Sequence, residues 1–269
     1  MSNSRPIGIF DSGVGGLTVL KEVMRILPDE KIIYFGDTAR VPYGPKSKET
    51  ILKFSMENIL FLLKHNVKLI IIACNTSSSV ALTVIEHNFK LPIIGVIKPG
   101  AQEAVRLTKN NRIGVIGTRT TIKSTAYKRR IKKIAPDMQV YSQACPLFVP
   151  LVEEGWLDTK ITKDIVKSYL EPLKKQRIDT LVLGCTHYPL LKPVIKRVLG
   201  PNVHLVDSAK QVAKQAYYIL KDAGMLSARR KRSGTKVHFY VSDEPENFAS
   251  LGCQFLGFRL KQVRKVSYV

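Results

Sequence analysis

The feature that most constrains this chain is an apolar run that breaks off at a cysteine followed by a small polar residue, and it occurs twice. Leu181-Val-Leu-Gly-Cys-Thr-His-Tyr-Pro-Leu190 stops at Gly184 and passes into Cys185, Thr186 and His187, and Lys68-Leu-Ile-Ile-Ile-Ala-Cys-Asn-Thr-Ser77 does the same around Cys74. Short continuous apolar runs bounded in this way read as strands buried on both faces. The rest of the chain is doubled too. Arg112-Ile-Gly-Val-Ile-Gly-Thr118 replays Ile7-Gly-Ile-Phe10 and its turn, Gln139 to Pro150 takes the place of Lys31 to Gly36 and the loop after it, and Val203 to Ser208 replays Pro92 to Ile97. The offsets, roughly 106 to 111 residues, are far too long for a solenoid unit and suit two domain-sized halves.

Between these strands apolar residues recur at helical spacing, as in Leu17, Leu20, Val23, Met24 and Leu27 behind the glycine-rich turn Asp11-Ser-Gly-Val-Gly-Gly16. Helices are predicted from about Lys48 to His65, from the Cys74 strand to about Phe89, from about Ile122 to Ile134, and from about Ala209 to Lys221. Alternating strands and helices make an α/β protein: two pseudo-symmetric α/β domains with mainly parallel sheets and the active site in the cleft between them. The expected division is 1–97 plus 208–269 for the first domain and 98–207 for the second. The tail returns to complete the first half, with Lys236-Val-His-Phe-Tyr-Val241 as an edge strand and a last helix near Glu246 to Leu256.

Bulk properties narrow the class. With 269 residues and 45% hydrophobic content the chain can bury large cores. No run reaches the length of a membrane-spanning helix, and Met1 to Pro6 lacks the apolar stretch of a signal peptide, so a cytoplasmic location is expected. Four scattered cysteines, Cys74, Cys145, Cys185 and Cys253, fit neither a structural zinc site nor a disulfide framework. The formal charge of +22 favours loose, non-specific contact with nucleic acid. Most of that excess falls at helical spacing, as in Lys123, Lys128, Arg129, Arg130, Lys132 and Lys133, or Lys192, Lys196 and Arg197, which fits solvated faces. Only Arg229-Arg-Lys-Arg232 is a true cluster, expected in a surface loop.

In open parallel sheets ligands sit beyond the carboxyl ends of the strands. Those ends carry Asp11, Ser12, Tyr43, Gly44, Cys74, Asn75, Thr76, Thr118, Glu153, Cys185, Thr186 and His187. Facing halves would bring all of them to one cleft. A single cysteine is usually a small buried hydrophobe, but two at equivalent places of a duplicated chain point to matched roles on opposite sides of a substrate. An imidazole two residues from Cys185 can accept or return a thiol proton, and Asp11 is placed to serve Cys74. The glycine-rich turn with Ser12, together with Asn75, Thr76, Thr118, Thr121 and Thr186 at other strand-to-helix turns, points to recognition of an anion such as a carboxylate. No metal is expected, because His65, His87, His204 and His238 show no ligand spacing.

Phe10-Asp-Ser-Gly-Val-Gly-Gly16, Val41-Pro-Tyr-Gly44, Ala73-Cys-Asn-Thr76, Phe148-Val-Pro-Leu-Val-Glu-Glu-Gly155 and Gly184-Cys-Thr-His-Tyr-Pro189 resemble the glutamate racemases of the cofactor-independent aspartate/glutamate racemase superfamily. The resemblance spans about residues 7 to 208. It implies interconversion of L- and D-glutamate with no cofactor, supplying D-glutamate for peptidoglycan. By motif it makes Cys74 and Cys185 the two acid/base residues, Cys74 toward D-glutamate and Cys185 toward L-glutamate, with Asp11 and His187 assisting and Glu153 in the catalytic surround. It also assigns Asp11, Ser12, Tyr43, Gly44, Asn75, Thr76, Thr118, Thr121, Thr186 and His187 to the substrate site. A homodimer is compatible with it and a membrane role is not. One departure is Lys98-Pro-Gly100, where the family reads Glu-Pro-Gly, which reverses a charge near the hinge or a dimer surface. An aspartate racemase relative and a basic nucleic-acid-binding protein on the same fold remain the alternatives.

Overall fold

The structure, a computed structural model, describes residues 4–228 and 236–267; the basic cluster Arg229 to Arg232 lies outside them. The first half runs β1 (Ile7–Asp11), α1 (Leu17–Ile26), β2 (Lys31–Gly36), α2 (Lys48–Leu63), β3 (Leu69–Ile72), α3 (Asn75–Val80), α4 (Leu82–Asn88) and β4 (Ile93–Gly95). The second runs α5 (Ile97–Leu107), β5 (Arg112–Gly117), α6 (Arg119–Lys123), α7 (Ala126–Ile134), β6 (Gln139–Ala144), α8 (Phe148–Glu153), α9 (Lys160–Lys175), β7 (Thr180–Gly184), α10 (Lys192–Leu199) and β8 (His204–Val206). Helix α11 (Ala209–Asp222), β9 (Lys236–Val241), α12 (Pro245–Leu256) and β10 (Val263–Lys265) follow.

The duplication is explicit in the topology. One sheet has the order β10-β9-β2-β1-β3-β4 and the other β6-β5-β7-β8, so both contain the same four-strand order, and every described pairing is parallel. Strands β1, β3 and β7 are buried along their whole length, because helices cover both faces; hence their continuous apolar runs. Register sets Phe10 level with Phe35 and Ile72, and Gly117 level with Ala144 and Gly184. Cys74 and Cys185 therefore leave their sheets at the carboxyl edge. Leu17, Leu20 and Val23 of α1 pack with Val212, Ala216 and Leu220 of α11 over Ile7 and Ile9.

Three expectations are corrected. Strand β9 is not an edge: it lies between β2 and β10, and β10 is the edge. That strand is three residues long and carries Arg264 and Lys265, so it shows no apolar run, while its charge suits an unpaired border. The helix after Cys74 is two helices, broken at Ala81: the Ser79 hydroxyl bonds back to the Thr76 carbonyl within the first and competes with regular helix, while the Ser78 hydroxyl ties it to the Ile72 carbonyl at the end of β3. The helix near 122–134 likewise divides at Thr125, whose φ of 55° lies in the left-handed region. Lys98 is an exposed residue of α5, and Lys123, Lys128, Arg129, Lys132 and Lys133 are exposed on their helices. Among the described residues no helix is long and apolar enough to cross a membrane.

Away from the carboxyl edge, a buried clasp joins the halves of the first sheet's chain. Lys68 Nζ lies 2.6 Å from Glu30 Oε2, with both side chains inaccessible, and donates to the Met225 carbonyl at 2.7 Å. Glu30 in turn accepts from the backbone and hydroxyl of Ser227, both at 2.8 Å. Removing one partner of a buried pair strands the other charge, so Glu30→Ala should lower the unfolding free energy by about 3–5 kcal/mol. Glu22→Ala, which frees the half-exposed Arg25, should cost less than about 1 kcal/mol. Urea denaturation of both variants tests this; equal losses would show that the Lys68 ammonium is effectively hydrated.

Candidate functional site

The carboxyl edges of the two sheets face each other across a cavity of about 320 Å³. From the first half it is lined by Ser12, Tyr43, Gly44, Cys74, Asn75 and Thr76, and from the second by Thr118, Glu153, Cys185, Thr186 and His187. What lets the halves meet is Gly15. A Cβ there would lie 2.3 Å from Thr186 Oγ1 and 2.5 Å from His187 Nδ1, so only a residue without a side chain allows this approach. Gly15 of the glycine-rich turn thus serves contact between the two halves, not an unusual φ. Gly44 is the second such point, its virtual Cβ 3.1 Å from Thr118. Thr120 latches that loop by donating its backbone N–H (3.3 Å) and hydroxyl (2.8 Å) to the Gly44 carbonyl.

Two sequence-derived residues stand behind the lining. Asp11 is fully buried; its Oδ2 accepts from Gly13 N–H at 3.1 Å and its Oδ1 from the Thr186 hydroxyl at 3.5 Å. Burial raises its carboxyl above the usual range, with the His187 charge and backbone N–H groups opposing. Thr121 completes a hydroxyl triangle with Thr118 (3.0 Å) and Thr76 (3.3 Å) that spans the cleft. Tyr43 lines the cavity but spends its hydroxyl elsewhere, donating to Asp37 and accepting from Asn58 at 3.1 Å.

The sulfurs are matched in place and different in surroundings. Cys74 caps α3: its Sγ accepts from Ser77 N–H at 3.5 Å and lies 3.8 Å from the Ser12 hydroxyl. Burial, reinforced by the negative charge of Asp11, pushes this thiol up to about 11. Asp11 therefore acts on Cys74 through charge; among the described residues no hydrogen bond joins them. Across the cavity Cys185 Sγ lies 4.0 Å from His187 Nδ1, whose Nε2 lies 2.8 Å from Glu153 Oε1. Burial opposes the imidazolium, but the Cys185 sulfur and the Glu153 carboxylate outweigh it and raise His187 to about 10. The ring is further held edge-on by Phe255 of α12, with centroids 5.6 Å apart. One wall thus offers a protonated thiol and the other a sulfur beside a cation, an arrangement able to donate a proton at one face of a carbon while removing one from the other.

Sequence reasoning missed Arg119, Val149 and Pro150, which also line the cavity. The last two had a signal: with Glu153 they occupy one face of α8, one turn apart. Arg119 had none beyond its place after the Thr118 cap, whose hydroxyl accepts from Thr121 N–H at 3.2 Å.

Because His187 is raised from its ordinary 6.5 to about 10, the stability contributed by its charge is present in full below about 6.5 and is lost as pH rises through about 10. Nitrogen-15 NMR should find the ring doubly protonated at neutral pH, and Glu153→Gln should lower the titration midpoint. An unmoved midpoint would show that Glu153 does not support the charge.

Comparison with known proteins yields consistent similarities. The family described as Asp/Glu/Hydantoin racemase matches residues 11–216. Glutamate racemases of Geobacter metallireducens and Neisseria meningitidis are 49% and 51% identical to the chain, over 98% and 99% of it and 97% and 98% of their own lengths. Among solved structures, a glutamate racemase isoform from Bacillus anthracis superposes with a TM-score of 0.93 at 40% identity, covering 97% of each chain. The Francisella tularensis glutamate racemase in complex with D-glutamate gives 0.91 at 42%, covering 98% of each. An aspartate racemase homologue from Pyrococcus horikoshii, at 18% identity and a TM-score of 0.58, covering 81% of this chain and 99% of its own, shares the fold alone.

Proposed function

This chain belongs to the Asp/Glu/hydantoin racemase family, and on that premise we propose that it interconverts L- and D-glutamate by moving protons at Cα between two cysteines, with no cofactor. The observation that carries the reading is the pair of strand-end sulfurs, one from each half, that line one cavity, Cys74 near Asp11 and Cys185 beside a cationic His187. The α-hydrogen of an amino acid is a very weak acid, so inversion needs a base on one face and an acid on the other, both close to the carbon. With L-glutamate, the Cys185 sulfur takes the α-proton as the C–H bond breaks, and the Cys74 S–H delivers its proton to the opposite face to give D-glutamate. The reverse reaction exchanges the roles. His187 and Glu153 stabilise Cys185 as the base, and Asp11 favours Cys74 in its proton-bearing form. Hydroxyls and amides from Ser12, Asn75, Thr76, Thr118 and Thr186 would surround the substrate carboxylates and stabilise enolate-like charge on the planar intermediate.

Each domain supplies one acid/base residue, on a division of 1–97 plus 208–269 against 98–207. The product would serve peptidoglycan synthesis in the cytoplasm, with glutamate as the partner that matters. A homodimer is compatible with this chemistry. The preference for glutamate over aspartate rests on the near-complete coverage of the chain by glutamate racemases at about half identity.

Incubation with L-glutamate in D2O, after exhaustive dialysis and chelation, should give D-glutamate with deuterium at Cα. Cys74→Ala and Cys185→Ala should each abolish this while remaining folded. Turnover on aspartate alone, restoration only by pyridoxal phosphate or a metal, or substantial activity in either variant would overturn the assignment.

The unlike neighbours of the two sulfurs predict a directional defect. His187→Asn should raise the primary isotope effect with α-deuterated L-glutamate more than with the D-isomer, and Asp11→Asn should do the reverse. Each should lose roughly 10²- to 10⁴-fold in proton-transfer rate. Equal isotope effects in both directions for both variants would rule out separate helpers.

A further inference from the structure

Behind Asn75 lies a line of hydroxyls that the chemistry above does not use. Tyr127 of α7 donates its hydroxyl to Asn75 Oδ1 at 2.7 Å, and Ser208, just before α11, lies 3.4 Å from the same phenol oxygen. The three residues come from the second half, the first half and the crossing that returns to the first. They are sealed, with Tyr127 2% exposed and Asn75 and Ser208 5% exposed. Gly100 of α5 closes the line from behind: a Cβ there would sit 2.4 Å from Ser208 Oγ and 3.3 Å from the Tyr127 hydroxyl.

An asparagine amide has a donor end and an acceptor end of nearly the same shape, so turning it over reverses what it offers. Toward a carboxylate only the nitrogen is useful. We propose that Tyr127 is a positioning residue for substrate binding: its hydroxyl, held by Ser208, fixes the Asn75 amide with oxygen inward and nitrogen toward the cavity. This rests on the reading of that cavity as the glutamate site.

Counting protons supports the direction. Among the described residues the Ser208 hydroxyl has no acceptor other than the Tyr127 oxygen, so its proton goes there. The single phenol proton then goes to Asn75 Oδ1. Burial raises the Tyr127 hydroxyl above its ordinary range, the Ser208 hydrogen bond opposing, so it remains a donor throughout working pH. With its oxygen engaged, Asn75 keeps both Nδ2 protons for the cavity it lines. A turned amide would instead aim its oxygen at the substrate carboxylate and leave the phenol proton without that acceptor.

The test is a kinetic cycle on the full chain with L- and D-glutamate. Tyr127→Phe removes one oxygen and should raise KM about tenfold for both enantiomers, with kcat within about threefold, as for loss of one oriented hydrogen bond to a charged group. Asn75→Ala should raise KM at least as much. In the double variant the Tyr127→Phe effect should vanish, because nothing remains to orient. Ser208→Ala, which removes only the first proton of the line, should shift KM in the same direction by less, and it carries the same test should Tyr127→Phe fail to fold. An unchanged KM in the folded single variants, or effects that multiply in the double variant, would overturn the relay while leaving racemisation intact. Absence of glutamate racemisation by the unaltered chain would instead overturn the reading of the site.

Discussion

The approach of the Thr186 and His187 side chains to the backbone of Gly15 is the constraint on which the rest depends. A methyl group at that position would overlap Thr186 and His187. Since Thr186 and His187 follow Cys185 directly, any widening there moves the second sulfur away from the first. A cavity that exposes two thiols to one carbon must be narrow, and its width is set by a turn that is all backbone at the point of contact. The threonine triangle of Thr76, Thr118 and Thr121 and the Thr120 latch on Gly44 hold the same distance elsewhere. They are polar contacts, which can be broken and remade as substrate passes, whereas the steric limit at Gly15 is permanent.

Much of this was legible in the sequence because parallel strands covered on both faces leave a strong mark. Their residues must be apolar without alternation, and the chain must become small and polar where it leaves the sheet. Cys74 and Cys185 stood out for that reason, and the equal order of strands in the two sheets follows from the offset of their runs. What escaped were features decided by distance in space. Strand β10 carries two charges in three residues and pairs only because β9 offers a free edge. The occupied hydroxyl of Tyr43 depends on Asp37 and Asn58, and nothing near Tyr43 in the chain signals that its hydroxyl is spoken for. The glycine-rich turn was recognised, but its purpose belongs to a residue about 170 positions later, which no local pattern encodes.

Local propensity also lost to side-chain chemistry in two helices. Apolar spacing alone favours continuous helices after Cys74 and after Thr118, yet the hydroxyls of Ser79 and Ser124 bond back to carbonyls three residues earlier and compete with the regular ladder. The short helices α3 and α6 that result carry Asn75, Thr76 and Thr121. All three sit in the first turn of their helices, where the chain has just left the carboxyl edge of a sheet.

The unequal surroundings of two equivalent sulfurs have a consequence for the resting protein. Cys74 is held as a thiol by burial and by Asp11, while Cys185 faces a cationic His187. On the proposed two-cysteine chemistry each turnover exchanges which sulfur carries the proton, so release of product leaves the empty molecule in the form opposite to the one that bound substrate. Recovery is a separate event, a proton moving between the walls through solvent with no amino acid present. Burial and the charge of Asp11 both penalise a Cys74 thiolate, so they favour return of a proton to that sulfur. Under that chemistry the protein would briefly remember which isomer it last made, and at high product concentration that memory, not the step at Cα, would govern its speed.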